Sequence, residues 1–299
     1  MWLFAAPACA RPAYCFVPGP TRSGEVAASF LGEWSGTLVT DGYSGYGALG
    51  GGVRRSACLA HVRRPFAKAV KSGAAGPDGA ICAQAVLRIA AVYAADRPSE
   101  GESDGGAARR AAVAGMLGDL ESWLRGQLPH ALPGLDAEKA INYALGQLPR
   151  LRGCVADPRV PLDNNLAENA ICPFCVGRRN WLLCDTLTGA EASACVYSLV
   201  TTARANGLNP ELWLGWVLSE LPALGEPQAV TPEQAARFMP WSPEVPDGCR
   251  VGAPAWPEPD EPLAEVDPRM LDDRDGSATV ARLSRDGDTP GAAAKTNLG

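Results

Sequence analysis

The sequence predicts an α/β protein, and three features of residue order carry that prediction. Short apolar, β-branched runs crowd the first forty residues, helical periodicity dominates from Ile81 to about Glu220, and beyond Ser242 the chain turns to Pro, Gly, Asp and Glu. Strand-length runs followed by helix-length runs are the pattern of a small sheet covered by helices. With 299 residues, 46% hydrophobic and 20% charged, the chain is long enough to bury a full core.

Each element follows from its own residues. "MWLF" and "AYCFV" predict two strands, "GEVAASFLGEW" a helix with Val26, Phe30, Leu31 and Trp34 on one face, and "GTLVT" a buried strand. "CLAHVRRPFAKAV" predicts a basic helix that Pro65 either kinks or starts. Ile81, Ala85, Ile89 and Val92 recur at helical spacing, and the loop "DRPSEGESDGG" follows. A second long helix is expected over roughly Ala107 to Gln127, and "LDAEKAINYALGQLPRL" supplies a third, with Asp136 as its cap candidate. After the turn at Asp157-Pro158, "PLDNNLAENAI" opens another helix. "GAEASACVYSLVTTARANG" and "NPELWLGWVLSEL" give two more, bounded by their own start and stop residues. The remainder has few large apolar side chains and is expected to be a disordered tail.

Charge is unevenly placed. Residues 221–299 hold 14 acidic and 7 basic side chains, whereas residues 1–220 hold 19 and 20. Between Gly42 and Pro77 there is no acidic residue, while Arg54, Arg55, Arg63, Arg64, Lys68 and Lys71 are basic. That stretch suits a phosphate-bearing partner, or is a solvated helix face. No apolar run is expected to span a membrane, and "MWLFAAPACA" lacks the positive start of a secretory signal. The ten cysteines show no framework spacing, which predicts reduced thiols in a cytoplasm. Cys172 and Cys175 form a lone C-x-x-C without an evident fourth zinc ligand, so core-filling thiols are expected there.

Two carboxylates stand out. Asp41 ends a β-branched run and precedes the glycine-rich turn "GYSGYG", where it is either a turn former or a metal ligand. Glu168 lies three residues after Asn165 at a helix start, the spacing of a capping box, and is otherwise a second ligand.

Six blocks, "VTDGYSGY", "CLAHVRRPF", "DNNLAENAI", "VGRRNWLL", "GAEASACVYSLVTTARANGLNPELWL" and "MPWSP", resemble in content and order the bacterial transposases of the insertion sequence 66 family. The resemblance runs from about Met1 to Pro243. It implies a ribonuclease H-like core with a helical insertion, holding Mg²⁺ (or Mn²⁺) on an Asp, Asp, Glu set. Paired divalent ions in such cores stabilise the attacking and leaving oxygens of an in-line phosphoryl transfer, and Mg²⁺ prefers hard oxygen ligands.

On this resemblance Asp41 matches the second acidic position and Glu168 the third, as catalytic and metal-binding residues. Cys58 and His61 resemble a C-x-x-H motif found near active sites of several transposase groups, or form a satisfied core pair. Arg63, Arg64, Asn164, Asn165, Arg178, Arg179 and Asn180 take DNA-phosphate or active-site supporting roles, and Trp181 packs beside them. The implied domains are 1–75 (first part of the core), 76–155 (helical insertion), 156–222 (last part of the core), 223–242 (family C-terminal segment) and 243–299 (acidic tail).

The likeness has gaps. Residues 1–40 contain only Glu25 and Glu33 as acids, both on the predicted helix and not on a strand next to Asp41. The family's first aspartate and its strand therefore have no counterpart, nor has its upstream DNA-binding region, which reads as an N-terminal truncation or a misplaced start codon. Asn169 and Cys172 stand where the family usually carries arginines. The expectation is a transposase acting on element ends and target DNA, defective for want of one carboxylate. The alternative is a non-catalytic DNA-binding remnant, or one that pairs with itself or with full-length transposase. A weaker reading is a nuclease using Asp41 and Glu168 alone. The implied location is cytoplasmic, on the nucleoid, with no membrane partner.

Overall fold

Alternation in the first two apolar runs makes a hairpin. The computed structural model describes residues 1–6, 11–19, 21–98, 105–181, 186–226 and 229–251. In it β1 (Trp2–Ala6) pairs antiparallel with β2 (Ala13–Val17), placing Trp2 opposite Val17 and Ala6 opposite Ala13. Tyr14 and Phe16 of β2 are buried, as the two-residue period requires. The amides of these same residues donate to Thr202 Oγ1 (3.0 Å) and Ser198 Oγ (2.8 Å), so hydroxyls on a later helix satisfy that strand edge.

The helix α1 (Gly24–Leu31) is capped by Ser23, whose Oγ accepts from the Glu25 amide. It leads to β3 (Gly36–Thr40), which pairs in parallel with β4 (Val53–Ala57), Thr40 lying opposite Ala57. The crossover between them is short for a parallel pair and carries a 3-10 turn over Ser44–Ala48. A side chain at Gly24 would collide with the Gly45 carbonyl, so α1 and this turn approach each other closely only because glycine stands there. Sequence pattern alone assigns no strand to "VRRSA", which the structure makes β4. Among the described residues the two strand pairs form separate two-stranded sheets.

The main core is helical. It gathers α2 (Leu59–Lys71), α3 (Gly76–Ala95), α4 (Ala107–Gln127) and α5 (Asp136–Arg152) around Phe66, Ile89, Leu117, Leu124, Ile141 and Leu148. The predicted stripe Ile81, Ala85, Ile89, Val92 is buried throughout. Pro65 lies inside α2 and Pro149 inside α5. Asp136 does not cap α5: it is the first helical residue, after Leu135, while Glu138 Oε2 accepts the Gly134 amide at 2.6 Å. By length and composition α3 is apolar enough to cross a bilayer. It carries Asp78 and Arg88, however, and its buried face belongs to the helical core.

The second half adds α6 (Asn165–Trp181), α7 (Leu187–Ala205), α8 (Pro210–Glu220) and the short α9 (Pro232–Ala236). Phe174 of α6, Phe16 of β2 and Tyr197 of α7 form an aromatic cluster that fastens these helices to the hairpin. The folded chain also runs past the expected boundary at Pro243. Val245 and Cys249 are buried against Leu208 and Trp213, the Asn209 amide donates to the Cys249 carbonyl (2.8 Å), and the Val251 amide donates to that of Gly207 (2.9 Å). Residues 243–251 are thus part of the fold, and the disorder expected for the rest of the tail falls outside the described residues.

The fully buried Leu117 and the Trp213 indole test the two cores separately. Leu117→Ala is expected to lose about 2–5 kcal/mol of stability. Trp213→Phe, which removes the 3.0 Å bond from Nε1 to the Phe238 carbonyl, should lose about 0.5–1.5 kcal/mol. Urea denaturation of each variant measures both.

Candidate active site

The site lies at the C-terminal end of the parallel pair. Since Thr40 faces Ala57, the next residues along the two strands, Asp41 and Cys58, leave the sheet side by side. Cys58 is the N-cap residue of α2, so His61 lies on the first turn of that helix, three residues on and on the same face. The chain returns 106 residues later, where the Asn164 amide donates to Cys58 Sγ at 3.3 Å. Beside it the Leu59 amide donates to the Leu162 carbonyl at 2.8 Å. These two bonds set the start of α6 against the end of β4.

Glu168 does not close a capping box. Asp163 takes the helix-start role, its Oδ1 accepting the Asn165 amide and its Oδ2 the Asn165 side-chain amide, both at 3.0 Å. The Glu168 carboxylate instead leaves the helix toward α2. Its Oε1 lies 3.6 Å from His61 Nδ1 and its Oε2 3.6 Å from the Arg64 guanidinium. Cys58, His61 and Glu168 present ligand atoms that all lie within 4.8 Å of one another. The Arg64 side chain is 53% exposed and Glu168 37%, so this ion pair contributes only about 0.2–1 kcal/mol and exchanges readily.

Asp41 is held by its own turn, with Oδ1 accepting the Tyr43 amide at 3.1 Å. A side chain at Gly42 would come within 2.9 Å of the Tyr143 hydroxyl, so the turn rests directly on α5. Tyr143 reports the local field. Burial raises its pKa, the negative charges of Asp41 and Cys58 add to the rise, and Arg64 opposes it. Tyr46 is pushed up to about 12 by burial first and Asp41 second. Tyr93 is raised by burial and by the Asp163 carboxylate. Burial also raises the Cys58 thiol to about 11, against the pull of the His61 and Asn164 amides.

The remaining candidates divide. Arg63 is half-buried and Arg64 exposed, both on α2; Asn164 and Asn165 hold the start of α6. The backbone of Arg178, Arg179 and Asn180 continues α6, but their side chains, like that of Trp181, lie outside the described set. Asn169 is exposed, and Cys172 donates its thiol to the Glu168 carbonyl at 3.2 Å. Cys172 and Cys175 are both half-buried. Tyr143, Tyr93 and Asp163 escape sequence reasoning. Only Asp163 left a signal, an acid two residues before the helix start.

A cavity of about 120 Å³ adjoins the site, lined by Leu3, Phe4 and Ala5 of β1, by Thr37 to Thr40 of β3, and by Asp163 and Asn164. Consecutive residues of both strands line it, so it meets strand edges rather than one face, because side chains alternate between faces.

A parallel pair that ends in Asp41 thus lies beside a helix start bearing His61, toward which Glu168 of a later helix projects. The family model for "Transposase IS66 family" matches residues 1–192, and that for "IS66 C-terminal element" matches residues 198–241. The chain belongs to the insertion sequence 66 transposase family, whose general partner is DNA and whose chemistry uses divalent metal ions. Similar proteins from Sinorhizobium fredii (strain NBRC 101917 / NGR234) include uncharacterized protein y4jD, 28% identical over 78% of this chain and 46% of its own length. Uncharacterized protein y4qI is 28% identical over 81% of this chain and 46% of its own length. The chain thus spans about half the length of these curated relatives. No solved structure matches it.

Cys58 gives the site a pH signature. Its thiol pKa is raised from 9.0 to about 11 in the fold, so the unfolded chain releases that proton first as pH rises. The stability this contributes is complete below about pH 9 and is lost progressively toward pH 11. Urea unfolding at stepped pH should show that decline, and Cys58→Ser should make it shallower, the part due to Cys82, whose thiol is also raised to about 11, remaining.

Proposed function

We propose that this polypeptide is a transposase-family segment that keeps two of the three catalytic carboxylates, Asp41 and Glu168, and binds DNA without completing strand transfer by itself. One observation supports the reading: Asp41 follows β3 where the strand register brings it alongside Cys58, and the Glu168 side chain joins Cys58 and His61 in a group that does not itself include Asp41. The donor set fits a divalent ion in part. Two carboxylates provide hard oxygens for Mg²⁺ or Mn²⁺, while the thiol and imidazole beside Glu168 are not Mg²⁺ ligands. When bound, such ions supply charge stabilisation at the attacking and leaving oxygens.

The protein groups have separate tasks. Asp41 and Glu168 would hold the metal. Arg63 and Arg64, with exposed Arg54, Lys68 and Lys71, neutralise DNA phosphates along α2 and β4. Neither β1 nor β3, which line the cavity of about 120 Å³, carries an acid that could stand for the family's first aspartate. Glu25, in the first turn of α1, and Glu33, beyond its C-cap, are not on β1 or β3 and offer no replacement. The protein would work on the bacterial nucleoid, alone or with a full-length copy.

The chain mixed with labelled element ends and Mn²⁺ is expected to retain DNA in a salt-dependent manner and to give no specific nick. Asp41→Asn should leave retention unchanged, whereas Arg63→Ala with Arg64→Ala should weaken it and lower its salt slope by about 2. Efficient, specific nicking that Asp41→Asn abolishes would overturn the claim of defect.

A further inference from the structure

We infer that Cys58, His61 and Glu168 form a binding site for a borderline or soft divalent metal, Zn²⁺ above all, distinct in chemistry from the carboxylate site for Mg²⁺. Three observations carry this. The ligand atoms are already gathered within 4.8 Å of one another. His61 Nδ1 is buried and makes no hydrogen bond, although it faces Glu168. A buried polar nitrogen in that condition loses its solvation without compensation. The 3.6 Å separation of Nδ1 and Oε1 is too long for a hydrogen bond. It is the right length for two ligands of one ion: bonds of 2.0–2.3 Å at tetrahedral angles set ligand atoms about 3.3–3.8 Å apart.

The surroundings agree with the donor set. A thiolate, a neutral imidazole and a carboxylate carry two negative charges, which a divalent ion cancels. Cys58 stands at the N-cap of α2, where a helix favours an anion. The Asn164 amide already donates to its sulfur. Binding expels the thiol proton, as metal–thiolate bonding does. Glu168, more than one third exposed, opens the site to solvent and leaves room for a fourth ligand such as water. Thiolate and imidazole select Zn²⁺ or Co²⁺ and reject Mg²⁺.

Glu168 then serves two metals. An ion held by Cys58, His61 and Glu168 occupies that carboxylate, so Zn²⁺ occupancy opposes any use of Glu168 in a hard-metal site. The inference about binding is read by spectroscopy and does not depend on DNA cleavage.

The test is a Co²⁺ titration of the reduced, metal-free full chain. One equivalent is expected to produce tetrahedral visible bands and a thiolate-to-cobalt charge-transfer band, both erased by one equivalent of Zn²⁺ and untouched by a thousandfold excess of Mg²⁺. Cys58→Ser should abolish the charge-transfer band. His61→Gln should weaken Co²⁺ binding by more than about 100-fold, since even changes beyond the ligands cost 10–100-fold. The double variant Cys172→Ser, Cys175→Ser should retain the full spectrum. Circular dichroism of each variant establishes that it is folded, and His61→Gln decides the matter if Cys58→Ser is not. Absence of the charge-transfer band in the parent chain, or its loss with Cys172 and Cys175 and not with Cys58 or His61, overturns the inference.

Discussion

The structure depends on one junction, where the end of β4 and the approach to α6 exchange two hydrogen bonds. The Leu59 amide reaches the Leu162 carbonyl and the Asn164 amide reaches the Cys58 sulfur, joining segments that are separated in sequence by α3, α4 and α5. Each bond alone adds only about 0.5–1.5 kcal/mol. Their position matters more than their strength. They fix where α6 begins relative to the parallel strands, and hence where the fourth residue of that helix can point. The helical core supports this geometry, because buried leucines and isoleucines of α3, α4 and α5 pack with α2, and the Asp41 turn rests on α5 while Cys58 opens α2.

The balance of forces at the site favours adjustability over rigidity. Asp41 is bound by a local turn, and Glu168 and His61 by weak contacts that include the 3.6 Å approach between them. By contrast the core beneath is dry and tightly filled, with Phe66 and Ile141 wholly buried. Chemistry-bearing groups thus sit on a firm base and keep freedom at their tips. The tyrosines around them, Tyr46, Tyr93 and Tyr143, stay protonated because burial and nearby carboxylates both oppose the phenolate.

How much of this was legible in the sequence varies with the kind of signal. The helices were, because Ile81, Ala85, Ile89 and Val92, and similar stripes elsewhere, repeat over several turns. The strand β4 was not: it is five residues long with two adjacent arginines, and its partner β3 supplies the pairing that makes it a strand. Residues 243–251 looked like tail because they fold through backbone bonds and two small apolar side chains, Val245 and Cys249, rather than through a hydrophobic run. At the site, Asp41 and Glu168 were visible as candidates, yet Glu168 had the spacing of a cap. Only the side-chain acceptor role of Asp163, two residues ahead, frees it from that task. The neighbourhood of Cys58 and Asp41 was implied only by the family resemblance, since by residues alone it follows from the register of the unrecognised strand.

Pro65 has a consequence of its own. Lacking an amide proton, it leaves the His61 carbonyl without the donor a regular helix would provide four residues later. The opening turn of α2 is therefore one rung looser than the buried turns behind it. The carbonyl left over at His61 thus lies in the same turn that carries the imidazole and follows the Cys58 thiol, where a regular helix would have engaged it in its own ladder.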